Sequence, residues 1–244
     1  MNAQGENAQR ENSQRELADV VRHLRRLVIV DDSLGFEPPT LSSSALSYLE
    51  RKHPRMGSLE KLRQYIGDCR RCKLCKGRKK LVFGEGSSKA RLVFVGEAPG
   101  REEDIEGRPF VGEAGKLLTK IIESGMGIGR KDVYICNVIK CRPPNNRDPE
   151  KDEIETCLPF LEEQIRIINP EVICALGRIA AKELSGRDFH MTKERGQWFS
   201  YLDTPVMPTF HPAYLLRNPS AKRQVWEDAK KIMKHLGLEV KRNG

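Results

Sequence analysis

Two apolar runs, far apart in the chain, each end in a rigid polar turn. RLVFVGEA leads into GEAPG at Gly96–Gly100, and TPVMPTF leads into HPAYLL at His211–Leu216. Near-continuous apolar runs of this length read as strands buried on both faces of a parallel sheet. In open α/β sheets ligands gather beyond the carboxyl ends of the strands, so both turns are directed at one site.

The rest of the chain fits that reading from Ser58 onward, where strand and helix signals alternate as in an α/β domain. DVYICNVIK and EVICALG supply two further strands, making four, with right-handed crossovers. Ser58 can cap a first helix running towards Cys69. Leu117, Leu118, Ile121 and Ile122 recur at helical spacing, as do Ile154, Cys157, Leu158, Leu161, Ile165 and Ile168. Asp148 is the expected cap of that second helix, with Pro149 in its first turn. A last helix is expected from Ser220 to about Leu236.

Residues 1–57 have a different character. A polar Asn/Gln/Glu start is followed by an amphipathic segment through Leu17, Val20, Val21, Leu24, Leu27 and Val28, then by EPPTLSSSALS. We read them as a flexible extension, largely disordered with one amphipathic helix, and residues 58–240 as the folded domain.

Lys and Arg total 43 against 34 Asp and Glu, a net charge of +9 that favours a polyanionic partner such as nucleic acid. The N-terminus has no apolar leader-like core, and no later stretch approaches the roughly 18 apolar residues of a membrane span. The expectation is a cytoplasmic protein with no membrane partner, acting as a monomer.

Seven cysteines without a secretory leader argue for reduced thiols, some of them metal-bound. Cys69 and Cys72 form a CxxC, and Cys141 and Cys157 flank a strand-to-helix loop. Two such pairs can close a four-thiolate site, and spacing alone does not separate zinc from an iron-sulfur cluster. Cys75 leaves a second arrangement open, CxxCxxC with a fourth ligand from Cys141 or Cys157. Cys136 and Cys174 lie inside apolar strands and read as core.

GEAPG, EEDIEGRPFVGEAGKLL, NVIKCRPPNNRDP and HPAYLLRNP, in this order, resemble the motifs of the family 4 uracil-DNA glycosylases over about Ser58 to Leu238. The resemblance implies a three-layer α/β/α sandwich around a four-stranded parallel sheet. It also implies a 4Fe-4S cluster held by Cys69, Cys72, Cys141 and Cys157, with zinc as the alternative metal and Cys75 outside the set. The implied activity is that of a monofunctional glycosylase, which flips uracil out of DNA and hydrolyses its N-glycosidic bond to leave an abasic site.

Site roles follow from that chemistry. Phe110 is the platform for the flipped ring, and Asn137, an amide in an apolar strand, can pair with uracil O4 and N3–H where cytosine presents the reverse pattern. His211 is the donor to uracil O2, and Glu97 the carboxylate that positions water or stabilises the cationic sugar. The wider superfamily often has an Asp one place further on, where this chain has Ala98. Gly96, Ala98, Pro99 and Gly100 let the backbone approach the base, and Glu103 shapes the pocket edge. Lys140, Arg142, Arg147, Arg217 and Arg223 are candidate phosphate contacts, and Leu215 or Leu216 a wedge for the emptied stack. The competing reading is a non-catalytic DNA-binding or damage-sensing module with a four-cysteine metal site.

Overall fold

The computed structural model describes residues 56–239. The N-terminal extension and its amphipathic helix therefore lie outside the described residues.

Helix α1 (Leu59–Ile66) opens the described chain, capped by the Ser58 hydroxyl, which accepts the Lys61 N–H. There follow β1 (Glu85–Gly86), β2 (Leu92–Gly96), α2 (Arg101–Glu106), α3 (Glu113–Lys120), β3 (Tyr134–Asn137), α4 (Lys151–Ile168) and β4 (Val172–Leu176). The chain continues through α5 (Arg178–Ser185), α6 (Met191–Glu194), β5 (Phe199–Tyr201), β6 (Thr204–Thr209), α7 (Pro212–Arg217) and α8 (Lys222–His235).

The sheet runs β1-β3-β2-β4-β6-β5. Its four inner strands are parallel and are the four expected from the apolar runs. Each edge carries one short antiparallel strand, so the sheet has six strands rather than four. Neither edge strand has a readable pattern. β1 is two residues long and ends in glycine, and β5 joins β6 through Leu202 and Asp203, both at positive φ without the Asn-Gly or Gly signal such turns usually carry.

Alternation along the inner strands sorts the core into two layers. Val93 and Val95 face Leu62, Leu161, Ile165 and Leu184, placing α1, α4 and α5 on one side. Leu92 and Phe94 face Leu118, Ile122, Ile232 and Met233, placing α3 and α8 on the other. The α/β/α layering follows from these two faces, each buried leucine contributing about 1.5–3 kcal/mol.

One helix start departs from expectation. Glu150 rather than Asp148 precedes α4, with its backbone N–H donating to the Glu153 carboxylate in a capping box. Asp148 is thereby left in the preceding loop, where it accepts from Arg178 at 2.8 Å.

Candidate active site

The parallel register places Gly96 of β2 directly beside Asn137 of β3, each the last residue of its strand. A Cβ on Gly96 would lie 2.4 Å from Asn137 Oδ1 and 2.6 Å from the Phe110 ring tip, so the absent side chain is what lets these two groups meet. Phe110 is buried and adopts φ +51°, a costly conformation for an aromatic residue. Two features hold it there. Gly115 presents no side chain to the Phe110 carbonyl, and the Glu103 carboxylate accepts the N–H groups of Gly100, Val111 and Gly112 at 2.9–3.1 Å. Glu103 thus braces the loop, its oxygens already engaged by the backbone.

His211 enters from the far side of the sheet's carboxyl edge, as the N-cap of α7. Its Nδ1 accepts the Ala213 N–H at 3.1 Å, so the proton of the neutral ring sits on Nε2. Burial holds its pKa down to about 4, keeping the ring neutral at physiological pH. The ring centroids of His211 and Phe110 are 5.5 Å apart and tilted by 33°. Thr209, the last residue of β6, donates to the buried Asp228 carboxylate at 2.7 Å and so anchors the strand end from which His211 projects.

These groups line one cleft of about 510 Å³ that includes Glu97, Ala98, Pro99, Gly100, Glu103, Phe110, Asn137 and His211. Gly96 is not among the lining residues. Asn137 Oδ1 is buried and has no hydrogen-bond partner, an acceptor set facing a cavity. Glu97 is pushed up to about 7, mainly by burial and secondly by Asp148 nearby, with Arg178 acting in the opposite direction. Asp148 also lines the cleft, a role that sequence reading had given instead to a helix cap. Ala213 was likewise missed, because a backbone donor has no side-chain signature.

The looser assignments divide. Arg147 and Arg217 line the cleft, and Arg142 donates to Asn146, another lining residue, at 2.7 Å. Arg223 is exposed on α8, away from that wall. Lys140 is not a phosphate contact, since its side chain is 1 % exposed and its Nζ is bonded inside the protein. Leu215 is not a wedge either, being 1 % exposed on the packed face of α7, whereas Leu216 is 47 % exposed.

Away from the cleft, the thiols of Cys69, Cys72, Cys141 and Cys157 share one neighbourhood. Cys69 and Cys72 both act electrostatically on Cys141, and Cys72 and Cys141 act on Cys157. Among the described residues no three His, Cys, Asp or Glu side chains are grouped as ligands of a single ion. Burial pushes Cys141 up to about 11 and Cys157 to about 12, so ligation there must displace protons. Three of the four sulfurs accept N–H donors: Cys69 from Arg71 at 3.4 Å, Cys141 from Arg78 at 3.4 Å and Cys157 from the Lys140 backbone at 3.3 Å. Arg78 also donates to the Cys69 carbonyl at 2.6 Å and so ties the early cysteine pair to the late one. Cys136 and Cys174 are buried in their strands.

A model of the uracil DNA glycosylase superfamily matches residues 83–230. The chain is 49% identical over 195 residues to a type-4 uracil-DNA glycosylase of Sulfurisphaera tokodaii, covering 77% of this chain and 88% of the relative. It is 50% identical over 185 residues to a type-4 uracil-DNA glycosylase of Thermotoga maritima, covering 74% and 96% respectively. A similar protein of the same description from Saccharolobus solfataricus is 46% identical over 189 residues, covering 74% of this chain and 88% of the relative.

Proposed function

This chain belongs to the type-4 uracil-DNA glycosylases of the uracil DNA glycosylase superfamily, and from that premise we propose how its cleft removes uracil from DNA. The observation that carries the reading is the unpartnered Asn137 Oδ1 at the meeting point of Phe110 and His211.

A flipped uracil lies against Phe110, with Asn137 Oδ1 accepting from N3–H and Nδ2 donating to O4. Cytosine would oppose an amino group to Nδ2 and an unprotonated N3 to Oδ1, leaving both buried groups unpaired, and each unmade bond costs about 1–3 kcal/mol. His211 donates its Nε2–H to uracil O2 as the C1′–N1 bond breaks and its electron pair passes to the base. Because the imidazole is neutral, it stabilises the uracil anion as a hydrogen-bond donor without transferring a proton from a charged ring. Glu97 in its ionised form stabilises the positive sugar, orients water at C1′ and takes the proton released as the new C–O bond forms. The products are free uracil and an abasic site.

Cys69, Cys72, Cys141 and Cys157 would hold the 4Fe-4S cluster. Support comes from a donor set made of thiols alone and from N–H donors on three of those sulfurs. When bound, the cluster would supply iron–thiolate bonds that crosslink the segment before β1 to the loop after β3 and to α4. Arg71 and Arg78 orient the sulfurs, and Arg147 and Arg217 face the DNA backbone from the cleft rim.

The first 55 residues contain equal numbers of basic and acidic residues, so the positive excess resides in the remainder of the chain, as a phosphate-binding domain requires. Among the described residues no helix is long and apolar enough to cross a membrane, and the cytosol is the proposed compartment. The test is release of free uracil from a deoxyuridine-containing oligonucleotide, compared for the parent protein, Asn137→Ala and His211→Ala. Loss of most activity in folded variants is expected, and near-parent rates in either would remove that residue from its role.

A further inference from the structure

Lys140 is a buried lysine that the chemistry above leaves unused. Its Nζ donates to the Asn137 carbonyl and to Gln164 Oε1, each at 2.7 Å, and both acceptors are neutral oxygens. Gln164, fully buried on α4, is itself fixed by donating to the Phe83 carbonyl at 2.8 Å and the Tyr134 hydroxyl at 3.0 Å. Through its own backbone N–H, Lys140 reaches Cys157 Sγ at 3.3 Å. A methionine would fill similar space without burying an amino group, so packing does not account for a lysine here.

Asn137 explains what the Lys140 amino group is for. Its Oδ1 has no hydrogen-bond partner, so before a base arrives no hydrogen bond aims that end of the amide. The following residues are pinned to β2, with Val138 N–H donating to the Gly96 carbonyl at 2.9 Å and Ile139 N–H to the Glu97 carbonyl at 3.1 Å. The carbonyl of Asn137 is the remaining free end of that peptide, and Lys140 takes it. Holding this carbonyl fixes the rotation of the Asn137 backbone and hence the direction of its side chain.

We propose that Lys140 is a positioning residue for base recognition, its Nζ locking the Asn137 peptide by hydrogen bonding while its amide registers the same strand end against the four-cysteine site. The inference rests on the uracil-releasing function above. It makes the cysteine site and the recognition amide two ends of one hydrogen-bonded unit joined through Lys140.

A double-mutant cycle in the full-length, cluster-loaded protein tests this, using Lys140→Met, Asn137→Ala and the pair. The readouts are single-turnover uracil release, inhibition by free uracil, iron content and thermal midpoint. Lys140→Met should slow release and weaken uracil inhibition by about ten-fold each with iron retained, the loss expected of one well-placed hydrogen bond. In the Asn137→Ala background the same change should cost less than about two-fold, because the group it positions is gone. Lys140→Met within about two-fold of the parent, or a full loss persisting without the Asn137 amide, overturns the proposal. If Lys140→Met is not recovered folded, Gln164→Met, which frees the amino group from its second acceptor, enters the same cycle. A smaller, equally non-additive loss is expected, and an additive one or none overturns the proposal. A parent protein that releases no uracil overturns both this inference and the function, whereas an active parent with additive losses overturns the role of Lys140 alone.

Discussion

Gly96→Ala isolates the geometry on which recognition depends. An added Cβ would stand 2.4 Å from Asn137 Oδ1 and 2.6 Å from the Phe110 ring tip, against the 3.4 Å of ordinary contact, so both tips must retreat by about 1 Å. These are side-chain ends, not backbone, and Gly96 is not at positive φ, so the fold can absorb the change. Overpacking of this kind costs about 1–3 kcal/mol, part of it offset by the about 0.4–1 kcal/mol that Gly→Ala contributes through the unfolded chain. The thermal midpoint should therefore fall by no more than about 10 °C. Activity should respond far more strongly, since a 1 Å misplacement of recognition groups costs on the order of 10²-fold. Single-turnover release of uracil, measured beside the melting curve, reads both quantities. Gly115→Ala is the contrasting control, since its Cβ would meet the Phe110 backbone carbonyl at 1.9 Å and must deform the loop itself. A Gly96→Ala protein that melts like the parent and retains kcat/KM within about three-fold would refute the argument that these two tips grip the base.

Other outcomes follow from the same geometry. Because Glu97 must be ionised and its pKa is raised to about 7, kcat/KM should rise with pH through the neutral range and level above it. His211, held down to about 4, should add no limb between pH 5 and 8, and Glu97→Gln should lower the rate and abolish the remaining one, which a pH–rate series checks. Leu215→Ala should destabilise by about 2–5 kcal/mol in a denaturant titration. Leu216→Ala should leave stability unchanged and slow release from duplex more than from single-stranded substrate, and equal effects on both would remove it as a wedge. Arg78→Met, which unties the two cysteine pairs, should hasten iron loss to a chelator while the parent retains its iron, as read by visible absorbance.

Much of the architecture was legible because inner strands of a parallel sheet must be apolar on both faces and must end in turns that serve a ligand. The runs before GEAPG and HPAYLL, and the amide of Asn137 in an apolar strand, carried that information in local composition. The edge strands β1 and β5 did not, because they are short and half-exposed, and their turn residues carry no conventional signal. Leu215 and Leu216 look alike in sequence, and only the rotation of α7 against its neighbours decides which is buried. Lys140 in a basic motif reads as a phosphate contact until the tertiary structure turns it inward onto the Asn137 carbonyl.

The sequence by itself determined the four inner strands, the converging loops, the cysteine inventory and the chemistry each polar residue could offer, since these depend on residue type and short-range spacing. Tertiary structure decided which proton His211 carries, why Glu97 titrates near neutrality, how Gly96 admits Asn137 and Phe110 to one point, and which cations line the cleft. Those properties arise from desolvation and from contacts between residues remote in the chain, and neither is written in local sequence.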